Sequence, residues 1–189
     1  MSSVFVTQTK IHKFIWVDDP IYQKYNLAKS TKCHHIQLAS FVVKRKISSF
    51  CKIKELRGQD GVFSNRYVPV GHVCGYMPGT YVSLSNYAKL TETEQNRNYS
   101  VEIEIPNDKI MIIPYDPMIT MRYINDAHHP DIDSVIHYNC EYQIEYDPKL
   151  KHLPLLRIVC IRPIRSGAQL FINYGHAYWS SRSSNQNKN

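Results

Sequence analysis

The chain has 189 residues, of which 43% are hydrophobic, enough for one domain with a packed core. No apolar run approaches the roughly 18–20 residues of a membrane span, and the first ten residues lack the apolar core of a secretory signal. We therefore expect an intracellular protein without a membrane partner. The formal net charge of +7 favours acidic partners such as nucleic acid or nucleosomes, without indicating where the charge lies.

The first fifty residues contain no clear motif. Residues 10–17 mix apolar and polar side chains and fit either a strand or a helix, whereas residues 36–43 favour a strand. We interpret residues 1–50 as an N-terminal extension packed on the domain that follows.

From about residue 52 the pattern changes to short strands separated by turns. Residues 101–105 and 136–145 alternate apolar and polar side chains, the period-two signature of a half-buried strand. Residues 155–161 are apolar on both faces apart from Arg157, which predicts a central strand. The polar stretch 85–98 has room for one short helix, and residues 180–189 have the composition of a disordered tail. The chain is therefore predicted to be mainly β.

Five cysteines are scattered singly, with no CxxC pair, which argues against a zinc ribbon and against a disulfide scaffold. We expect most of them to be small buried side chains. A cluster of potential metal ligands within ten residues is more specific, but these residues are better explained as solvated loop side chains, so no metal site is predicted. The cluster comprises His128, His129, Asp131, Asp133 and His137.

Two motifs carry the most information. Residues 122–126 read Arg-Tyr-Ile-Asn-Asp, and about fifty residues later residues 170–179 read Leu-Phe-Ile-Asn-Tyr-Gly-His-Ala-Tyr-Trp. Residues 61–63, Gly-Val-Phe, precede them at a turn. In this order and spacing they resemble the signature motifs of the SET-domain lysine methyltransferases, and the resemblance covers roughly residues 52–179.

The resemblance implies a fold and a domain division. The fold is the SET fold of the β-clip type, built from small curved sheets with few short helices and a C-terminal pseudoknot. The pseudoknot would bring residues 122–126 beside residues 171–175. The SET domain would occupy residues 51–179, after the N-terminal extension and before the polar tail.

The resemblance also implies an activity, the transfer of a methyl group from S-adenosyl-L-methionine to a protein lysine without a metal. A histone tail is the substrate implied by analogy, with a nuclear location, the cytoplasm as the alternative, and chromatin association through a basic surface. A free lysine has a pKa near ~10.4, so the neutral amine costs about 4–5 kcal/mol at neutral pH. A narrow apolar channel lowers that cost by desolvating the charged form.

Residue roles are carried over position by position. Tyr174 is the candidate catalytic residue, whose hydroxyl would align the amine. Tyr76 and Ile172 are the candidates for the lysine channel. The candidates for contact with the methyl donor are Gly61, Val62, Phe63, Arg122, Asn125, Asp126 and Trp179.

The chain departs from the family pattern in several places. Asp126 stands where the family commonly has histidine, Gln59 stands where a glycine is expected, and Ile172 replaces a common Phe or Tyr. No cysteine cluster follows Trp179, so a zinc-bound post-SET segment is missing. These departures keep open a second interpretation, a catalytically weak or inactive SET-like module that binds protein or chromatin. A third class, a basic nucleic-acid-binding protein, lacks any recognisable binding motif.

Overall fold

A computed structural model describes residues 10–17, 32–37, 41–51, 53–77, 79–91, 95, 99–105, 108–114, 120–127, 137–147, 153–175 and 178. The strands are β1 Lys10–Val17, β2 Lys32–Gln37, β3 Val42–Lys46, β4 Asp60–Ser64, β5 Val73–Tyr76, β6 Thr80–Ser83, β7 Val101–Ile105, β8 Asp108–Ile113, β9 Asn125–Asp126, β10 Cys140–Asp147, β11 Leu153–Cys160 and β12 Phe171–Ile172. The helices are short: α1 Leu84–Tyr87 and the 3₁₀ helices Lys54–Leu56 and Thr120–Tyr123. In this part of the chain no helix is long and apolar enough to cross a membrane.

The strands form several small sheets. The largest has the order β2-β1-β6-β8-β7, and a three-stranded sheet has the order β10-β11-β5. Two further pairs are β3 with β4 and β9 with β12. Strand β1, from the predicted N-terminal extension, pairs in parallel with β6 and so joins the largest sheet. Small sheets with few helices confirm the predicted fold class.

The alternating sequence patterns become half-buried strands. In β7, Ile103 and Ile105 are buried while Glu102 and Glu104 are exposed. Strand β11, predicted to be central, lies between β10 and β5 in its sheet. The consecutive residues Ile158, Val159 and Cys160 are all buried, so this end of β11 is covered on both faces, which requires apolar residues at successive positions.

The hydrophobic core lies directly beneath the two motifs. Ile124 precedes β9 and Ile172 ends β12, and both are almost completely buried in one cluster with Val62 and Leu170. Burial of such side chains is worth about 1.5–3 kcal/mol each relative to exposure. The core therefore anchors the place where the two motifs meet.

Three of the cysteines lie in the same core. Cys74, Cys140 and Cys160 are buried free thiols, and the Sγ atoms of Cys74 and Cys140 are 4.0 Å apart. Cys51 is partly exposed, and the side chain of Cys33 lies outside the described residues. The described cysteines thus include three buried small side chains, as their single spacing predicted.

Candidate active site

The two motifs meet as neighbouring strands. Strand β12 pairs in parallel with β9, with Phe171 opposite Asn125 and Ile172 opposite Asp126. Beyond the pair, the backbone N–H of Tyr174 donates to Asp126 Oδ2 at 2.8 Å, and the Tyr174 hydroxyl donates to the Ile124 carbonyl at 2.6 Å. Tyr174 is therefore held at both its backbone and its ring by the first motif.

A third segment, just before β10, stabilises the place where β9 and β12 pair, which we call the crossing of the two motifs. Asn139 lies just before β10, and its Nδ2 donates to the Gln169 carbonyl at 2.8 Å. Its Oδ1 accepts the backbone N–H of Phe171, also at 2.8 Å. One amide side chain thus binds backbone groups on both sides of Leu170. These two bonds fix the position of the backbone where it enters β12. The sequence analysis did not single out Asn139.

Asp126 is a buried carboxylate, with only 5% of the residue exposed. Besides accepting the Tyr174 N–H, it lies near the side chain of Tyr138. Burial, reinforced by the nearby Asp126 carboxylate, raises the pKa of Tyr138 above its ordinary value. Burial and the same carboxylate also raise the pKa of Tyr142. Asp126 is therefore a buried carboxylate behind Tyr174, and its neighbours include the phenols of Tyr138 and Tyr142.

A first cavity, of about 260 Å³, opens beside the first motif. It is lined by Gln59, Asp60, Tyr99, Arg122, Tyr123, Asn125 and Tyr174. The side chain of Asn125 is oriented by its own hydrogen bond, from Nδ2 to the Asp60 carbonyl at 3.0 Å. This bond links the first motif to the start of β4.

Cations stack on the aromatic rings of this cavity. The guanidinium of Arg122 lies over the Tyr99 ring at 4.0 Å, and Lys44 Nζ lies over the Tyr123 ring at 4.3 Å. Such stacking holds a cation in place while leaving hydrogen-bond donors for another partner. Arg122 Nε is buried and has no hydrogen-bond partner among the described residues. A buried donor of this kind calls for an acceptor, such as a carboxylate.

A second cavity, of about 560 Å³, is also lined by Tyr174. Apolar and aromatic side chains form most of its wall, and two glutamates of β7 stand at it. The lining residues are Met77, Tyr99, Ser100, Val101, Glu102, Glu104, Met111, Arg122, Ile124, Tyr142, Asn173, Tyr174 and Tyr178.

The two cavities share Tyr99, Arg122 and Tyr174. Tyr174 therefore stands in the wall between them, with its hydroxyl bound to the carbonyl of Ile124, which lines the second cavity. The ring of Tyr178 packs edge-on against Tyr174, with centroids 4.6 Å apart. The arrangement can hold two molecules on opposite sides of one tyrosine.

Three of the predicted site residues line the first cavity: Arg122, Asn125 and Tyr174. Asp126, predicted to contact the donor, lies behind Tyr174 and lines neither cavity. Strand alternation explains this, because adjacent residues of β9 point to opposite sides. Trp179 lies outside the described residues.

The turn before β4 contributes different residues from those predicted. Gly61, Val62 and Phe63 line neither cavity, whereas Gln59 and Asp60 line the first. Val62 is fully buried in the core. A Cβ atom on Gly61 would come within 2.9 Å of both Gln169 Nε2 and Ile47 Cγ1, so packing explains this glycine.

The two predicted channel residues also lie away from the cavities. Tyr76 on β5 turns towards β10, where its hydroxyl donates to Glu145 Oε2 at 2.9 Å. Ile172 is fully buried beneath the crossing, and its successors Asn173 and Tyr174 line the second cavity instead. Tyr142 and Tyr178 are aromatic residues that line the second cavity, whereas Tyr76, which was predicted to do so, does not. The alternation of β10 indicated a buried face containing Tyr142, but the polar stretch around Tyr99 carried no such signal.

The sequence predicted no metal site at the cluster of histidines and aspartates in residues 128–137. Most of this segment lies outside the described residues. Of the cluster His128, His129, Asp131, Asp133 and His137, only His137 is described. Within the described part of the chain, no three His, Cys, Asp or Glu residues are grouped so as to hold a metal ion.

Comparison with known families identifies the fold. The family model described as the SET domain matches residues 59–175, more than half of the chain. The chain therefore belongs to the SET-domain family, whose members are generally protein-lysine methyltransferases. A comparison with the curated proteins found no match.

Solved structures agree on the fold. One similar structure is a humanized mutant of the Chaetomium thermophilum Polycomb Repressive Complex 2 bound to the inhibitor GSK126. Its sequence is 22% identical to this chain, the TM-score is 0.51, and the match covers 71% of this chain and 15% of that chain. An apo ctPRC2 carrying mutations in Ezh2 is 20% identical, with a TM-score of 0.52 over 75% of this chain and 16% of that chain. The chain thus spans about a sixth of the length of these structures.

Proposed function

We propose that this chain is an S-adenosyl-L-methionine-dependent protein-lysine N-methyltransferase. The observation that carries the proposal is the position of Tyr174, in the wall shared by the two cavities and next to the Ile124 carbonyl. A methyltransferase of this kind needs a donor site and a lysine site that meet at the reacting atoms. The two cavities supply two such compartments with one common wall.

The first cavity is assigned to the methyl donor. Its residues fit the amino-acid part of S-adenosyl-L-methionine, because the unpaired Arg122 Nε can donate to a carboxylate. The polar groups of Asn125 and Asp60 stand at the same cavity and suit an ammonium group. When bound, the donor supplies a methyl group whose transfer to an amine nitrogen breaks the methyl–sulfur bond.

The second cavity is assigned to the substrate lysine. The apolar walls provided by Met77, Ile124 and Tyr142 suit the methylene chain of a lysine and desolvate its ammonium, which favours the reactive neutral amine. The Tyr174 hydroxyl oxygen and the Ile124 carbonyl are the acceptors that can orient the amine N–H groups. Alignment of this kind can contribute several kcal/mol to rate acceleration, roughly 7–11 in favourable cases.

The outer part of the second cavity supports a basic substrate. Glu102 and Glu104 line it, and their side chains are 46% and 78% exposed. Lys109 pairs with both carboxylates, at 2.8 and 3.0 Å, so these three side chains together carry one negative charge, while Arg122 adds a positive charge to the same lining. We propose a lysine within a basic segment as the substrate, with a histone tail as the first candidate. A nuclear location and an association with chromatin follow from that choice.

Donor binding is the first test. Calorimetry on the purified chain is expected to show one S-adenosyl-L-methionine site, and Asn125→Ala should weaken it by roughly 10–100-fold, the equivalent of about 1.5–3 kcal/mol for a hydrogen bond to a charged group. Asn65→Ala is the matched control, because Asn65 is exposed at the other end of β4. A wild-type chain with neither binding heat nor a thermal shift would sink the proposal.

A non-catalytic SET-like binding module is the second candidate. It is favoured by the side chains of Gln59 and Asp60, which occupy the first cavity at a turn where the family has a glycine. Turnover separates the two candidates: labelled methyl transfer to a panel of histones supports the enzyme. Donor binding without transfer to any of them supports the module.

A further inference from the structure

A second surface lies at the far end of β4 from the cavities. Asp60 at the start of β4 lines the first cavity, and Asn65 follows the end of the strand, about 15 Å further on for five residues in extended conformation. Residues 65–72 and 161–167 lie side by side there, and we name these two segments together the arginine face. We infer that the arginine face binds the phosphate backbone of duplex DNA.

The arginine face is a well-ordered surface built on buried anchors. Val68 and Ile164 exchange backbone hydrogen bonds at 2.8 and 2.9 Å, and both side chains are buried in the core. At one end the Ser166 hydroxyl donates to the Asn65 carbonyl at 2.9 Å, and at the other the Gly71 N–H donates to the Cys160 carbonyl at 2.8 Å. The side chains on this surface are thus displayed from a fixed backbone.

The charge of the arginine face has one sign. Its two segments contain Arg66, Arg162, Arg165 and His72 but no aspartate or glutamate. All four side chains belong to exposed residues. Among the described residues no carboxylate forms an ion pair with the three arginines, whereas Lys46, Lys109 and Arg157 all have acidic partners. This separation of charge favours a polyanionic ligand.

The arginines suit phosphate in particular. The guanidinium of Arg66 lies over the Phe41 ring, with Cζ 4.2 Å from the centroid, and such a contact to a ring leaves guanidinium N–H groups available to bind in pairs. Arg162 and Arg165 are three residues apart, or roughly 10 Å along an extended chain, which is the axial rise of about three nucleotides of one strand. Planar guanidinium groups bind phosphate oxygens in bidentate geometry.

Duplex DNA is favoured over a single strand because the aromatic content of the surface is low. Tyr67 and Val70 are the large apolar side chains exposed on the arginine face, 58% and 57% respectively. Proteins that bind single strands stack successive bases on several aromatic rings, and a single ring cannot do this. One tyrosine among arginines instead fits contacts to phosphate and sugar.

The test measures the salt dependence of binding to a fluorescein-labelled 30-base-pair duplex by fluorescence anisotropy. Three phosphate contacts predict a slope of about −2.7 in log K against log salt, which is a fall of about 40-fold between 50 and 200 mM. The triple variant Arg66→Gln, Arg162→Gln, Arg165→Gln is expected to bind at least tenfold more weakly at 50 mM and to lose most of the slope. The double variant Arg162→Gln, Arg165→Gln retains the Arg66–Phe41 contact, and its slope should be about −0.9 even if the triple variant folds poorly.

A charge-matched control separates the arginine face from net charge. Arg45, Lys54 and Lys89 are exposed cations outside it, and their triple glutamine variant should keep the wild-type slope. Equal loss in the two triple variants, or no wild-type binding at 50 mM, would overturn the inference. So would tighter binding of a single strand, or displacement of the duplex by polyglutamate as effective as that by unlabelled DNA. DNA binding needs no methyl donor, so this test and the donor-binding test can fail independently.

Discussion

Removal of the Asp126 carboxylate is expected to loosen the crossing of the two motifs. The carboxylate is buried, accepts the Tyr174 N–H at 2.8 Å and has the Tyr138 side chain as a second polar neighbour. In Asp126→Ala the Tyr174 N–H loses its acceptor, and a hydrogen bond to a charged group is worth about 1.5–3 kcal/mol. We expect the free energy of unfolding to fall by about 3 kcal/mol for both contacts together, since their effects overlap.

The assay is thermal unfolding followed by circular dichroism. For a chain of this length each kcal/mol shifts Tm by roughly 2–4 °C, so Asp126→Ala should unfold about 6–12 °C below the wild type. Asp126→Asn keeps a carbonyl oxygen for the Tyr174 N–H and should lose less than half as much. Tyr138→Phe removes only the second contact, and its combination with Asp126→Ala should be less destabilising than the sum of the two single changes.

Two outcomes would refute this reasoning about Asp126. A Tm for Asp126→Ala within about 1 °C of the wild type would mean that the carboxylate contributes nothing to the crossing. Strict additivity with Tyr138→Phe would mean that the Tyr138 contact does not exist. Donor affinity can be measured separately from thermal stability. Asp126 lines neither cavity, so Asp126→Ala should weaken donor binding only by moving Tyr174.

Tyr174→Phe should keep the fold, since the ring is retained while the bond to the Ile124 carbonyl is lost, yet slow methyl transfer to a proven substrate by about 10²-fold; an unchanged rate in a radiometric assay would show that another group orients the amine. Methyl transfer should increase with pH towards the lysine pKa near ~10.4, as more amine is neutral, and a flat profile in single-turnover experiments would contradict a rate set by the amine. Because the pKa of Tyr138 is higher in the folded chain than in the unfolded chain, where it is about 10, folding favours the neutral phenol. The resulting stabilisation is complete at pH values below the unfolded pKa and is lost as the pH rises through the folded pKa. Urea unfolding at pH 9 and pH 11 should therefore show a smaller loss of stability in Tyr138→Phe than in the wild type.

Much of the secondary structure could be predicted from local patterns. The alternation in residues 101–105 identified β7, because a strand with one wet face alternates with period two. The apolar run at residues 155–161 predicted the central strand β11, because a strand that is buried on both faces is apolar at successive positions. The family resemblance implied that the two motifs would lie beside each other, and β9 and β12 are neighbours.

The lining of the site was predicted only in part. Arg122, Asn125 and Tyr174 were named because they belong to the motifs, and they line the first cavity. Tyr76 was named because it corresponds to a position near the lysine channel in the family that the chain resembles, but its hydroxyl donates to Glu145 on β10. The direction of that side chain depends on the pairing of β5 with β11, which a local pattern does not contain.

The sequence by itself determined several strands, among them β7 and β11, the family resemblance and the residue types available for chemistry, because these depend on periodicity and on short motifs. Only the tertiary structure decided which residues surround the two cavities. Tyr99 stacks on Arg122 although the two are far apart in sequence, and Gln59 reaches the first cavity in place of Gly61. Such walls are assembled from separate segments by sheet pairing and core packing, and the direction of each side chain is settled only when the whole domain closes.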